Sequence, residues 1–166
     1  MIYRINLRIL PFLSLFVVLS CSPYSFSGSS VPGHIKTIAI PLLENNTAEF
    51  GLTEQITDAL LDDFIKENIL QIVDQKDSDS VMKGTIVRVS DVPYTFDENE
   101  EVQEFRVTIS AKIVWYDKIN QINLFEGNIK GWGIYAASTP EDRIGGLDVA
   151  VERLVTEVLN QILSGW

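Results

Sequence analysis

The sequence predicts an α+β fold: a two-layer α/β sandwich whose mostly antiparallel, four- to five-stranded sheet carries two helices on one face. Three observations predict it. Residues 102–117 alternate strictly, with Phe105, Val107, Ile109, Ala111, Ile113 and Trp115 on one face and Glu104, Arg106, Thr108, Ser110 and Lys112 on the other. That pattern is a half-buried antiparallel strand with one wet face. Two further segments repeat apolar residues at helical spacing. The elements run in the order β-α-β-β-β-β-α, which buries one sheet face under helices and leaves the other open.

Taken in order, His34 to Leu42 is a β-branched run that should stop at Pro41. Glu44-Asn45-Asn46-Thr47 is a loop, and a helix is expected from about Ala48 to Glu67. Leu52, Ile56, Ala59, Leu60, Asp63 and Phe64 recur there at helical spacing, and Glu54, Asp58, Asp62 and Lys66 take the other side. Leu70-Gln71-Ile72-Val73 is a short strand closed by the Asp74–Asp77 turn. A longer strand covers Val81 to Val92, where Gly84 marks a bulge or close packing. After residues 102–117, the chain turns near Ile119-Asn120-Gln121 and returns over Ile122 to Tyr135. Gly127, Gly131 and Gly133 interrupt the alternation there and predict bends or bulges. Thr139-Pro140-Glu141-Asp142 is a helix start, with Thr as cap, Pro in the first helical position and acids in the first turn. Ile144, Leu147, Val151, Leu154, Val155, Val158, Leu159 and Ile162 then form one stripe towards the C-terminus. Residues 34–166 are thus one domain.

The first 33 residues have another character. Arg4 and Arg8 precede an apolar run from Ile9 to Leu19, and Ser20 leads into Cys21. A basic start, a short apolar stretch and a small residue at the cut make a secretory signal peptide over residues 1–20. The run is shorter than the roughly 20 residues a spanning helix needs. Val18-Leu19-Ser20-Cys21 resembles the lipobox of bacterial lipoproteins, which implies cleavage before Cys21 and lipid attachment to it. Several acyl chains at ~0.8 kcal/mol per buried CH2 make a stable anchor. Ser22, being other than Asp, resembles an outer-membrane sorting signal. Residues 21–33 are expected to be the lipidated cysteine and a Ser/Gly/Pro-rich tether, spanning up to ~40 Å when extended.

Charge narrows the function. The chain has 13 Lys and Arg against 23 Asp and Glu, a net charge of −10, and two of those bases, Arg4 and Arg8, lie in the leader. Bulk charge therefore disfavours nucleic acid. Cys21 is the sole cysteine and His34 the sole histidine, so no Cys–His or Ser–His pair and no zinc set is expected beyond the anchor. Gly131-Trp132-Gly133 and Gly145-Gly146 fit no phosphate-binding fingerprint. Asp97, Glu98, Glu100, Glu101 and Glu104 lack the ordered spacing of a calcium loop and read as a solvated acidic turn. No enzyme, cofactor or metal is expected.

In order along the chain stand Cys21, Tyr24-Ser25-Phe26-Ser27-Gly28-Ser29-Ser30, Ile35-Lys36-Thr37-Ile38-Ala39-Ile40-Pro41, Glu44-Asn45-Asn46, Leu52-Thr53-Glu54-Gln55-Ile56-Thr57-Asp58-Ala59-Leu60, Gly84-Thr85-Ile86, Arg106-Val107-Thr108-Ile109 and a last helix ending at Trp166. This series resembles the LptE family of lipopolysaccharide-assembly lipoproteins, in the form found outside the enterobacteria. The resemblance implies a small α/β sandwich on the periplasmic face of the outer membrane, seated as a plug in the β-barrel LptD and helping to deliver lipopolysaccharide without covalent chemistry. Candidate contacts for lipid phosphates are Arg106 and Lys112, which share the outward face of one strand, followed by Arg88 and Lys130. Trp115 and Trp132 are read as core or sheet-packing residues. Parts of the same series (Ile38-Ala39-Ile40-Pro41, Asn45-Asn46-Thr47, Gly51-Leu52-Thr53) also resemble curli-type secretion lipoproteins, which would make the chain a ring-forming pore component; a third reading is a periplasmic adaptor.

Overall fold

The computed structural model describes residues 31–163. The expected signal peptide, Cys21, most of the tether and Trp166 lie outside the described residues. Six strands and two helices follow in order: β1 (Thr37–Ala39), β2 (Glu44–Asn45), α1 (Leu52–Glu67), β3 (Gln71–Ile72), β4 (Ser80–Phe96), β5 (Val102–Asp117), β6 (Ile122–Ala136) and α2 (Pro140–Leu163). They form one sheet of order β3-β1-β4-β5-β6, with β2 also beside β4. β4, β5 and β6 are a long antiparallel meander. β1 runs parallel to both β3 and β4, and β2 parallel to β4. The fold is the expected α+β sandwich, with a small parallel wing added to the antiparallel sheet.

The wing explains where the first expected strand ends. Pro41 cannot donate to a ladder, and the chain pairs as β1 before it and as β2 after it. Between them Leu43 turns inward, 4% exposed, and its amide donates to Thr57 Oγ1 at 3.2 Å. Gly84 makes room for it, because a Cβ there would lie 2.7 Å from Leu43 Cγ. Close packing is therefore the role of Gly84. The register shifts of β4 fall elsewhere, first between Ile86 and Arg88 and again on either side of Thr95.

α1 begins four residues later than expected. Gly51 holds φ at 81°, a left-handed conformation that interrupts the helix for anything upstream. Asn45 organises the preceding loop: its Oδ1 accepts from Thr47 N at 2.9 Å and its Nδ2 donates to Glu49 O at 2.7 Å. α2 starts where the sequence places it. Thr139 Oγ1 accepts from Asp142 N at 3.4 Å, and Asp142 Oδ2 accepts from Thr139 N at 3.0 Å, a reciprocal capping box.

The core lies between the helices and one sheet face. Leu52, Ile56, Leu60 and Phe64 of α1 and Val151, Leu154, Val155, Val158 and Ile162 of α2 meet Ile86, Val107, Ile109, Ala111, Ile113 and Trp115. The glycines of β6 correct the sequence reading. β5 and β6 pair without a register shift from Trp115–Phe125 to Glu104–Ala136, so Gly127, Gly131 and Gly133 make no bulge. They serve contact instead: a Cβ on Gly131 would sit 2.0 Å from Ala150 O, and one on Gly133 would sit 1.9 Å from Gly146 O. The α2 backbone rests directly on the β6 backbone.

Candidate functional site: the open face of the sheet

The face turned away from the helices is built by strand phase. Directly opposed residues of an antiparallel pair point to the same side, and register therefore fixes a grid across β4, β5 and β6. Its rows are Lys83–Val114–Glu126, Thr85–Lys112–Asn128, Arg88–Ser110–Lys130, Ser90–Thr108–Trp132 and Val92–Arg106–Ile134. All four cations singled out in the sequence, Arg88, Arg106, Lys112 and Lys130, stand on this one face, and all are exposed.

Arg88 reaches it through the bulge. Ile86 opposes Ala111 on the buried side, so an unbroken strand would turn Arg88 inward. The extra residue, Val87, restores Arg88 to the outer side opposite Ser110. This gives a row of two cations flanking a hydroxyl.

The remaining cations differ in how they are engaged. Lys112 Nζ lies 2.6 Å from Glu126 Oε1, and that lysine holds the Glu126 carboxyl below its ordinary range. The Arg106 guanidinium lies 5.9 Å from the centre of the Tyr94 ring, an arrangement that leaves its charge available. Among the described residues Arg88 and Lys130 have no carboxylate partner within 4.0 Å. In the Arg88–Lys130 row both cations are thus free of carboxylates, whereas of Arg106 and Lys112 only Arg106 is.

Sequence reasoning missed Lys83 and left Trp132 as a core or sheet-packing residue. Lys83 projects from the same face opposite Val114, above a cavity of about 380 Å³ lined by Gln75, Val81, Val114, Tyr116 and Asn123. Its phase two residues before Thr85 was the available signal. Trp132 is 39% exposed on the open face rather than in the core, with the Arg153 guanidinium 3.7 Å from its ring centre. Trp115 is core as expected, 3% exposed.

The acidic turn after Pro93 is the β4–β5 hairpin connection. Asp97 Oδ1 accepts from the amides of Asn99 and Glu101, each at 2.8 Å, so this carboxylate closes the turn. His34 is structural in its contacts: its Nε2 lies 2.7 Å from Asp117 Oδ2. Burial alone would raise the Asp117 carboxyl, but hydrogen bonds from Asn120, His34 and Ile119 outweigh it and hold the group at about 2. Among the described residues no group of three His, Cys, Asp or Glu is placed to hold a metal ion, and no helix is long and apolar enough to cross a membrane.

Known structures share the fold. A hypothetical protein from Chlamydia trachomatis aligns with a TM-score of 0.60 at 9% identity, covering 77% of this chain and 95% of that one. A protein from Xanthomonas campestris gives 0.56 at 10% identity, covering 77% and 86%. A minor lipoprotein from Acinetobacter baumannii gives 0.53 at 12% identity, covering 79% and 92%. No curated protein matches the chain in sequence. The LptE family, described as lipopolysaccharide-assembly, matches residues 35–164, from just before β1 to the end of α2. The chain belongs to the LptE family of lipopolysaccharide-assembly proteins.

Proposed function

We propose that this protein is an outer-membrane lipoprotein, anchored through Cys21, that seats in an LptD-type β-barrel and turns its open sheet face to lipopolysaccharide. It binds and positions; it performs no covalent step. The observation that carries this reading is the pairing of family membership with a cation row, Arg88–Ser110–Lys130, on the sheet face that no helix covers.

The physical chemistry is consistent. A chain with net charge −10 does not collect polyanions through bulk attraction, so a phosphorylated lipid needs a local patch. The helices hold Glu54, Asp58, Asp62, Glu152 and Glu157, while Arg88 and Lys130 stand free of carboxylates on the sheet side. This asymmetry orients the domain towards an anionic headgroup. A barrel lumen is lined by polar side chains, which suits a plug whose outer sheet face carries Thr85, Ser90, Thr108, Ser110 and Asn128 between its charges.

The test is lipopolysaccharide binding by Arg88→Glu with Lys130→Glu, compared with Lys112→Glu. Loss of most binding in the double variant, with a smaller loss in the Lys112 variant, supports the assignment. Equal binding by the double variant and the parent overturns it.

A further inference from the structure

β6 is an edge strand over 15 residues, and its backbone direction can be read from two contacts. Ala137 N donates to Gln103 O at 2.9 Å, so the odd-numbered residues of this stretch face β5. Trp132 O accepts from Arg153 Nη1 at 2.9 Å, on the outer side. The N–H and C=O of one residue in an antiparallel ladder point the same way, and the direction alternates along the strand. Glu126, Asn128, Lys130, Trp132 and Ile134 therefore turn their backbone groups outward. Arg153 stops one carbonyl at Trp132; among the described residues the backbone groups of Glu126, Asn128 and Lys130 have no partner. Beside them runs a cavity of about 490 Å³ between the strand edge and α2, lined by Asn128, Lys130, Glu157 and Gln161 among others.

A row of unpaired backbone donors and acceptors is matched by another extended backbone. A second copy of this chain does not fit. α2 lies backbone-to-backbone on β6 at Gly131 and Gly133, and packed helices need 8–10 Å between their axes. Two β6 strands paired edge to edge would stand only about 4.8 Å apart, which drives the two α2 helices into each other. A single extended strand, with no helix above it, has room.

We propose that the β6 edge and the adjoining side of α2 form a groove that takes an extended segment of a partner protein by antiparallel strand addition. The side chains on the open face set its preference: an acid opposite Lys130, a hydroxyl residue opposite Asn128 and a base that shares Glu126 with Lys112. The assignment rests on the strand edge and is independent of the cation row.

The probe is a capped peptide with the core Glu-Val-Thr-Val-Lys, added to the full chain while amide hydrogen exchange is followed residue by residue. The amides of Glu126, Asn128 and Lys130 are expected to slow by about tenfold or more at saturation, as exposed hydrogens become paired. Asn128→Pro removes one outward N–H without touching the β5 ladder and should abolish the effect. Arg153→Ala frees the Trp132 carbonyl, lengthens the edge and should tighten binding. Unchanged exchange, slowing confined to β4 and β5, full binding by the Asn128 variant, or a peptide-free dimer through β6 would each overturn the proposal.

Discussion

Replacing Gly131 by alanine tests the packing of the domain at its tightest point. The added methyl would meet Ala150 O at 2.0 Å, Leu154 N at 2.6 Å and Leu154 Cβ at 2.8 Å. Two of these are helix backbone atoms, which no rotamer change can move. Ordinary carbon–oxygen contact needs more than 3 Å, so α2 must lift from β6 by roughly 1 Å. Such a gap forfeits a quarter to a half of the dispersion energy of each contact it opens. The side chains that lose it are Ala150, Val151 and Leu154, all at most 3% exposed. Overpacking of this kind costs about 3 kcal/mol, which lowers the melting temperature by roughly 10 °C in a domain of this size. Urea unfolding followed by tryptophan fluorescence reads the change directly. Gly145→Ala is the control: nothing lies within 4 Å of its Cβ, and alanine gains up to about 1 kcal/mol in a helix. Gly127→Ala is intermediate, since its nearest neighbour is the Phe125 ring at 2.8 Å. If Gly131→Ala unfolds at the same urea concentration as the Gly145 variant, the contact between α2 and β6 is wrongly described.

Three further outcomes follow from side chains. The Asp117 carboxyl is held at about 2, below the ordinary ~3.9 of an unfolded chain. Its contribution is therefore complete above about pH 4 and lost as pH falls through 2, and Asp117→Asn should flatten that acid limb in pH-dependent unfolding. Arg143 bonds Glu49 at 2.6 Å and Asp91 at 2.9 Å, tying the loop before α1 to β4; its truncation strands two carboxylates, and Arg143→Ala should cost about 2 kcal/mol by the same urea assay. Phe50 is 99% exposed, so Phe50→Ser should leave stability within about 0.5 kcal/mol.

Much of this architecture is legible in the sequence, and the exceptions have physical causes. β5 is readable because one face is core and the other wet, which forces period-two alternation. The capping box and apolar stripe of α2 are equally plain, since helix period and cap chemistry are local. β1, β2 and β3 are two or three residues long, so their parallel pairing is set by partners distant in the chain. The start of α1 depends on a left-handed Gly51, whose sequence context permits either outcome. The β6 glycines look like breaks until α2 is seen resting on them. At the site, Arg88 and Lys130 were named among the cations, but their place in one row depends on the Val87 bulge. The Lys112–Glu126 bond is likewise a property of register.

The partner decides whether the proposed function holds. The tagged full-length protein should be recovered from detergent-solubilised outer membranes and its companions weighed and counted by mass spectrometry. A large outer-membrane β-barrel of the LptD kind at one-to-one stoichiometry is the predicted result. Recovery only as a self-assembled ring, or with unrelated envelope proteins, would contradict it.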